Sequence, residues 1–113
     1  MVQLTENSDG GQIRLASGQI FEIALSENPT AGFRWKLIHS GEPVCILVGE
    51  KFSRGNRVGE PGLHYWQFNT QMAGSTRIEL HYRRSWQEAK PPSKTFTLRI
   101  QISQPENADP APA

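Results

Sequence analysis

Residues 94–102 read "KTFTLRIQI". Phe96, Leu98, Ile100 and Ile102 alternate with Thr95, Thr97, Arg99 and Gln101. Successive side chains of a strand point to opposite faces, so this stretch is a strand with one apolar and one wetted side. The same period recurs upstream. "STRIELHYR" (75–83) sets Ile78, Leu80 and Tyr82 against Arg77, Glu79 and His81. "LHYWQFNT" (63–70) sets His64, Trp66 and Phe68 against Leu63, Tyr65 and Gln67. "FRWKLIH" (33–39) sets Phe33, Trp35 and Leu37 against Arg34 and Lys36. "IRLASGQIFEIAL" (13–25) carries two strands, with Ile13 and Leu15 and then Phe21, Ile23 and Leu25 on one face. "VCILVGEKF" (44–52) begins apolar on both faces, and its Gly49 suits a bulge. No window carries a helical period.

An apolar strand face needs a facing layer. The pattern therefore predicts an all-β fold, an immunoglobulin-like antiparallel β-sandwich of about seven strands with Greek-key connections. The 113 residues suit one domain. Polarity and Gly/Pro content divide the chain into a flexible N-terminus (1–11), the domain (12–103) and a disordered Pro/Ala-rich tail (104–113). A formal net charge of +1 implies no large single-sign field, which argues against nucleic acid as a partner. The single cysteine, Cys45, excludes an intrachain disulfide and multi-cysteine zinc sites. Its apolar strand makes it a buried small hydrophobe. No stretch reaches membrane-spanning length, and the first residues lack the pattern of a signal peptide. That leaves the cytoplasm or a processed periplasmic or secreted form open.

If every strand crosses the height of a sandwich, alternate connections fall at the same end. "SENPTAG" (26–32), "RGNRVGEPG" (54–62) and "RSWQEAKPPS" (84–93) then share one end. The plain turns "SG" (17–18), "SGEP" (40–43) and "QMAG" (71–74) take the other. Loops clustered on a rigid scaffold are a common home for function. Each loop also has a purely local reading. Asn28-Pro29-Thr30 with Gly32 is good turn chemistry, though the same residues pre-order a protrusion that loses little entropy on docking. Gly55, Gly59 and Gly62 fit a hairpin loop, or backbone that passes close to a partner. Trp35 and Trp66 sit on apolar strand faces and belong to the core. Trp86 has no strand pattern to bury it and stands beside arginines, a hot-spot pairing. His39, His64 and His81 form no metal pattern and read as surface histidines. No nucleophile–base pair or carboxylate pair stands out, so catalysis is not expected.

The three loops together resemble the chagasin-type inhibitors of papain-like cysteine proteases. "NPTAGF" (28–33) is similar to their Asn-Pro-Thr-Thr-Gly-Tyr/Phe motif, "GEPG" (59–62) to their Gly-x-Gly-Gly motif, and "RSW" (84–86) to their Arg-Pro-Trp motif. Order and spacing agree over residues 12–102. The resemblance implies an immunoglobulin-like fold and reversible occlusion of a protease cleft, with no cofactor and no covalent chemistry. The implied binding residues are Asn28, Pro29, Thr30, Ala31, Gly32 and Phe33 in the central loop, with Thr30 nearest the catalytic Cys and His. Gly59, Glu60, Pro61 and Gly62 would meet one wall of the cleft, and Arg84, Ser85 and Trp86 the other. Ala31, Pro61 and Ser85 depart from the family pattern, replacing Thr, Gly and Pro. The implied partners are papain and cathepsin L-type enzymes, bound by a monomer, with no nucleic acid and no membrane. A rival class is a carbohydrate-binding or adhesion module that uses Trp86 and Tyr65 as stacking platforms.

Overall fold

Among the described residues, eight strands form two four-stranded sheets packed face to face. The structure, a computed structural model, describes residues 1–57, 59–84, 86 and 89–104. Ser85 and residues 105–113, most of the predicted tail, lie outside the described residues. The strands are β1 (Val2–Leu4), β2 (Gln12–Ala16), β3 (Ile20–Glu27), β4 (Phe33–His39), β5 (Cys45–Ser53), β6 (Gly62–Thr70), β7 (Gly74–Arg84) and β8 (Lys94–Ser103). One sheet runs β1-β3-β6-β5 and the other β2-β8-β7-β4.

The alternating residues meet between the sheets. Phe21, Ile23 and Leu25 pack with Trp66 and Phe68 from one sheet, and Ile78, Leu80, Phe96, Leu98, Ile100 and Ile102 close the core from the other. Trp35 is buried at the sandwich edge and Cys45 is fully buried. Burial, with the Glu42 charge behind it, pushes the Cys45 thiol up to about 11, so it stays protonated and inert. The bulge falls where Gly49 suggests it: the β5–β6 register shifts between Leu47 and Gly49. A second shift, between Leu37 and His39 of β4, has no glycine to announce it.

Two features differ from the sequence reading. The sheets are mixed, not purely antiparallel. β1 pairs with β3 and β2 with β8 in parallel, while the other four pairings are antiparallel. The reason is directional parity. Each connection reverses the chain, so two odd-numbered or two even-numbered neighbours must run the same way. The second difference is the N-terminal segment, for which no element is predicted. It holds β1 and a 3₁₀ turn, Glu6–Ser8. Leu4 reaches the core, and Gln3 donates to the Glu22 carboxylate at 2.7 Å. The Glu6 carboxylate accepts the Ser26 N–H at 2.7 Å. Three residues are too few for alternation to reveal a strand that is held mainly by its ladder and these side-chain bonds.

Candidate functional site

The register brings the three unusual loops to one end. Glu27 stands opposite Gly62, and Ser53 opposite Leu63, so the β5–β6 hairpin closes beside the exit of β3. Phe33 stands opposite Arg84, which puts the β7–β8 loop beside the entry of β4. The β3–β4 connection is the one of the three that crosses between the sheets. It therefore sits centrally, with a hairpin from each sheet at its side.

The central loop is a 3₁₀ turn over Pro29–Ala31. Asn28 precedes it, and Pro at the first helical position fits because its missing N–H would have had no partner there. Ala31 N–H donates to the Asn28 carbonyl at 3.2 Å, and Gly32 N–H to the Pro29 carbonyl at 2.9 Å. Gly32 ends the turn at φ 86°, a left-handed conformation that favours glycine. The Thr30 hydroxyl donates to the Asn28 side-chain carbonyl at 2.7 Å while the residue stays exposed at the tip. Asn28 N–H donates to the Tyr82 hydroxyl at 2.9 Å, which anchors the loop to the opposite sheet.

The β7–β8 loop locks onto the central one. A Cβ on Gly32 would strike the Trp86 ring, so the indole lies directly over that glycine. Arg84 Nε–H donates to the Ala31 carbonyl at 3.3 Å. Its guanidinium sits 4.5 Å from the Phe33 ring centre and 5.9 Å from that of Trp86. Phe33 stacks in turn on Tyr82 at 5.2 Å. Tyr82, Phe33, Arg84 and Trp86 thus form a continuous brace. Trp86 nonetheless remains 68% exposed, an indole held in place with most of its surface unspent.

In the β5–β6 loop, Gly55 and Gly62 have internal explanations. A Cβ on Gly55 would strike the Glu60 backbone and side chain, and one on Gly62 would strike the Ser53 carbonyl and the Phe52 ring. Gly59 differs: it has φ +83° and open space around it. Glu60 N–H closes the turn on the Arg57 carbonyl at 3.0 Å, and Glu60 and Pro61 are exposed.

Beneath the loops lies a polar trio that the sequence reading missed. Glu27 is 1% exposed. Its carboxylate accepts the Trp35 N–H at 2.7 Å and lies 3.1 Å from His64 Nδ1. His64 Nε2 lies 2.6 Å from Glu50, and the imidazole stacks on Trp66 at 3.9 Å. His64 is therefore not a surface histidine; its side chain is 12% exposed. Burial works to raise the Glu27 carboxyl, but the His64 and Trp35 hydrogen bonds and the His64 and Arg34 charges overcome it and hold the carboxyl below its usual range. Burial likewise works to lower His64, and the bonds to Glu27 and Glu50 outweigh it, so the imidazole is raised. The signal was present in the alternation. Glu27 continues the inward row Phe21, Ile23, Leu25, and His64 heads the inward row Trp66, Phe68.

Among the described residues, no three His, Cys, Asp or Glu side chains are arranged to hold a metal ion. Tyr65, named with Trp86 as a sugar platform, sits under Lys51 at 4.8 Å in the β1-β3-β6-β5 sheet, while Trp86 follows the opposite one. They do not form a joint surface.

Residues 14–100 match the family described as Chagasin family peptidase inhibitor I42. Amoebiasin-2 of Entamoeba histolytica is 26% identical over 103 residues, covering 88% of this chain and 83% of its own. Chagasin of Trypanosoma cruzi is 25% identical over 107 residues, covering 89% and 97%. Among solved structures, the cysteine protease inhibitor EhICP2 from Entamoeba histolytica superposes with a TM-score of 0.79 at 24% identity, over 90% of this chain and 94% of that one. PbICP-C, solved in complex with falcipain-2, superposes with a TM-score of 0.55 at 21% identity, over 91% and 89%. Both share the sandwich fold.

Proposed function

The chain belongs to the chagasin family of peptidase inhibitors, and on that premise we propose that its three-loop end occludes the active-site cleft of papain-like cysteine proteases. The observation that carries this reading is the brace between two of the loops: Trp86 seated over Gly32, and Arg84 bonded to the Ala31 carbonyl. It makes the end of the sandwich a pre-formed wedge, with the ordering entropy already spent in folding. Thr30 is the tip that meets the catalytic Cys and His. Asn28, Pro29, Ala31, Gly32 and Phe33 shape it. Gly59, Glu60, Pro61 and Gly62 contact one wall of the cleft, and Arg84, Ser85 and Trp86 the other.

The wedge enters the cleft without being a substrate. Its tip is a hydrogen-bonded 3₁₀ turn, not an extended strand. A carbonyl held in that turn does not reach the near-attack geometry that acylation requires. Inhibition is therefore reversible, needs no cofactor and leaves the chain intact. The test is to titrate papain and a cathepsin L-type enzyme, then repeat the binding with the catalytic Cys capped by a small alkyl group. Tight inhibition, recovery of activity on dilution and retained binding to the capped enzyme are expected. Failure to inhibit any papain-like enzyme overturns the reading.

A further inference from the structure

The three-loop end carries an aromatic side chain that belongs to none of the loop motifs. Among the described residues, Phe52 and Trp86 are the exposed aromatic residues, at 38% and 68%. Both stand at this end. Phe52 is the last residue but one of β5, and Ser53 after it faces Leu63 at the start of β6. Phe52 stands opposite His64, in the inward row of the sheet, and the row's Trp66 and Phe68 are buried. Phe52 is not buried because the next inward position of β6 is Gly62, which has no side chain to cover the ring. A Cβ on Gly62 would strike that ring.

Trp86 is seated on Gly32 in the same way. A ring from each hairpin beside the central loop therefore lies on a glycine. The Phe52 ring is also held in orientation. It meets the His64 imidazole edge-on, with ring centres 6.1 Å apart and 74° between the planes. His64 is itself fixed by Glu27, Glu50 and the Trp66 ring. Gly62 stands opposite Glu27, the residue before the Asn28 that opens the central loop. The ring thus covers a strand position beside the root of that loop.

On the reading that the loop end enters a protease cleft, we infer that Phe52 is a second aromatic anchor, which packs on an apolar part of the cleft wall met by the β5–β6 loop. Gly62 contributes there by seating the ring. A ring already fixed in orientation loses little entropy on docking, and burial of its free face supplies the contact. The two rings come from opposite sheets, Phe52 from β1-β3-β6-β5 and Trp86 from the strand end of β2-β8-β7-β4. A wedge held by Trp86 alone could rock about the central loop. A second ring on the other sheet fixes its angle in the cleft.

The test measures papain inhibition by the intact protein and by Phe52→Ala. The variant should inhibit about tenfold more weakly, as for truncation of an interface anchor. Val48→Ala truncates an exposed apolar residue of the same strand, away from the loops, and should inhibit like the parent. Because Phe52→Ala also removes the contact with His64, a second measurement reads the ring itself. 4-Fluorophenylalanine placed at residue 52 is followed by fluorine NMR with a dissolved paramagnetic agent. Adding papain with its catalytic Cys capped should shield the ring from the agent. A ring as accessible in the complex as in the free protein, or a Phe52→Ala variant as potent as the parent, overturns the inference and leaves the proposed function standing. A parent protein that inhibits no papain-like enzyme overturns both.

Discussion

Trp86 and Gly32 are one device read at two positions. The indole is placed by packing on a residue with no side chain, and its outward face is the part that meets the protease in the proposed function. Trp86→Ala removes that face and the indole's seat on Gly32, but leaves Arg84 on the Phe33 ring and the Ala31 carbonyl, and the residue is mostly solvent-exposed in the free protein. Papain inhibition should weaken by about 2 kcal/mol or more with the melting temperature nearly unchanged. Parallel inhibition and melting assays check both halves. Gly32→Ala tests the seat instead. The new Cβ would meet the indole, and the left-handed φ adds about 1–2 kcal/mol of strain. We expect a lower melting temperature together with weaker inhibition. These roles were only partly legible in the sequence. Trp86 stood out because no strand buries it, and Gly32 because it follows a Pro turn. That the two touch depends on β4 pairing with β7, which no local pattern specifies.

At the scale of elements, the loops stand on strands that are bolted together by Glu27. Its carboxylate joins the end of β3 to the start of β4 through Trp35 N–H, and to β6 through His64. Glu27→Gln keeps the shape but removes the charge, and should lower stability by about 1–3 kcal/mol in urea unfolding. The pH dependence follows from the two shifts. Glu27 is lowered from its ordinary 4.5, so its contribution is present above that value and is lost as pH falls through the depressed one. His64 is raised from its ordinary 6.5, so its contribution is complete below that value and is lost as pH rises through the elevated one. Stability should therefore peak in the mildly acidic range between 4.5 and 6.5. In His64→Gln the fall on the alkaline side should disappear while the acid limb remains. Urea midpoints measured from about pH 4 to about pH 9 read this directly. The strands themselves were legible because alternation over five or more residues is a strong signal. β1 was not, because it spans three residues and depends on its neighbour.

For the molecule as a whole, composition concealed an asymmetry. A net charge of +1 suggests a surface without a field, yet the chain places six of its 12 Lys and Arg residues on one sheet face. Charge sums are blind to the pleat. The parity of strand direction was readable, and it gathered the three loops at one end before any register was known. It also dictates the parallel edges, a consequence that the expectation of a purely antiparallel sandwich overlooked. The central claim is that three separate loops act as one contact surface. Amide hydrogen exchange of the protein, free and bound to active-site-capped papain, tests it most directly. The account predicts that protection on binding appears together at 28–33, 59–62 and 84–86, with β2 and β8 unchanged. Protection confined to one loop, or centred on the β2-β8-β7-β4 face, would contradict it.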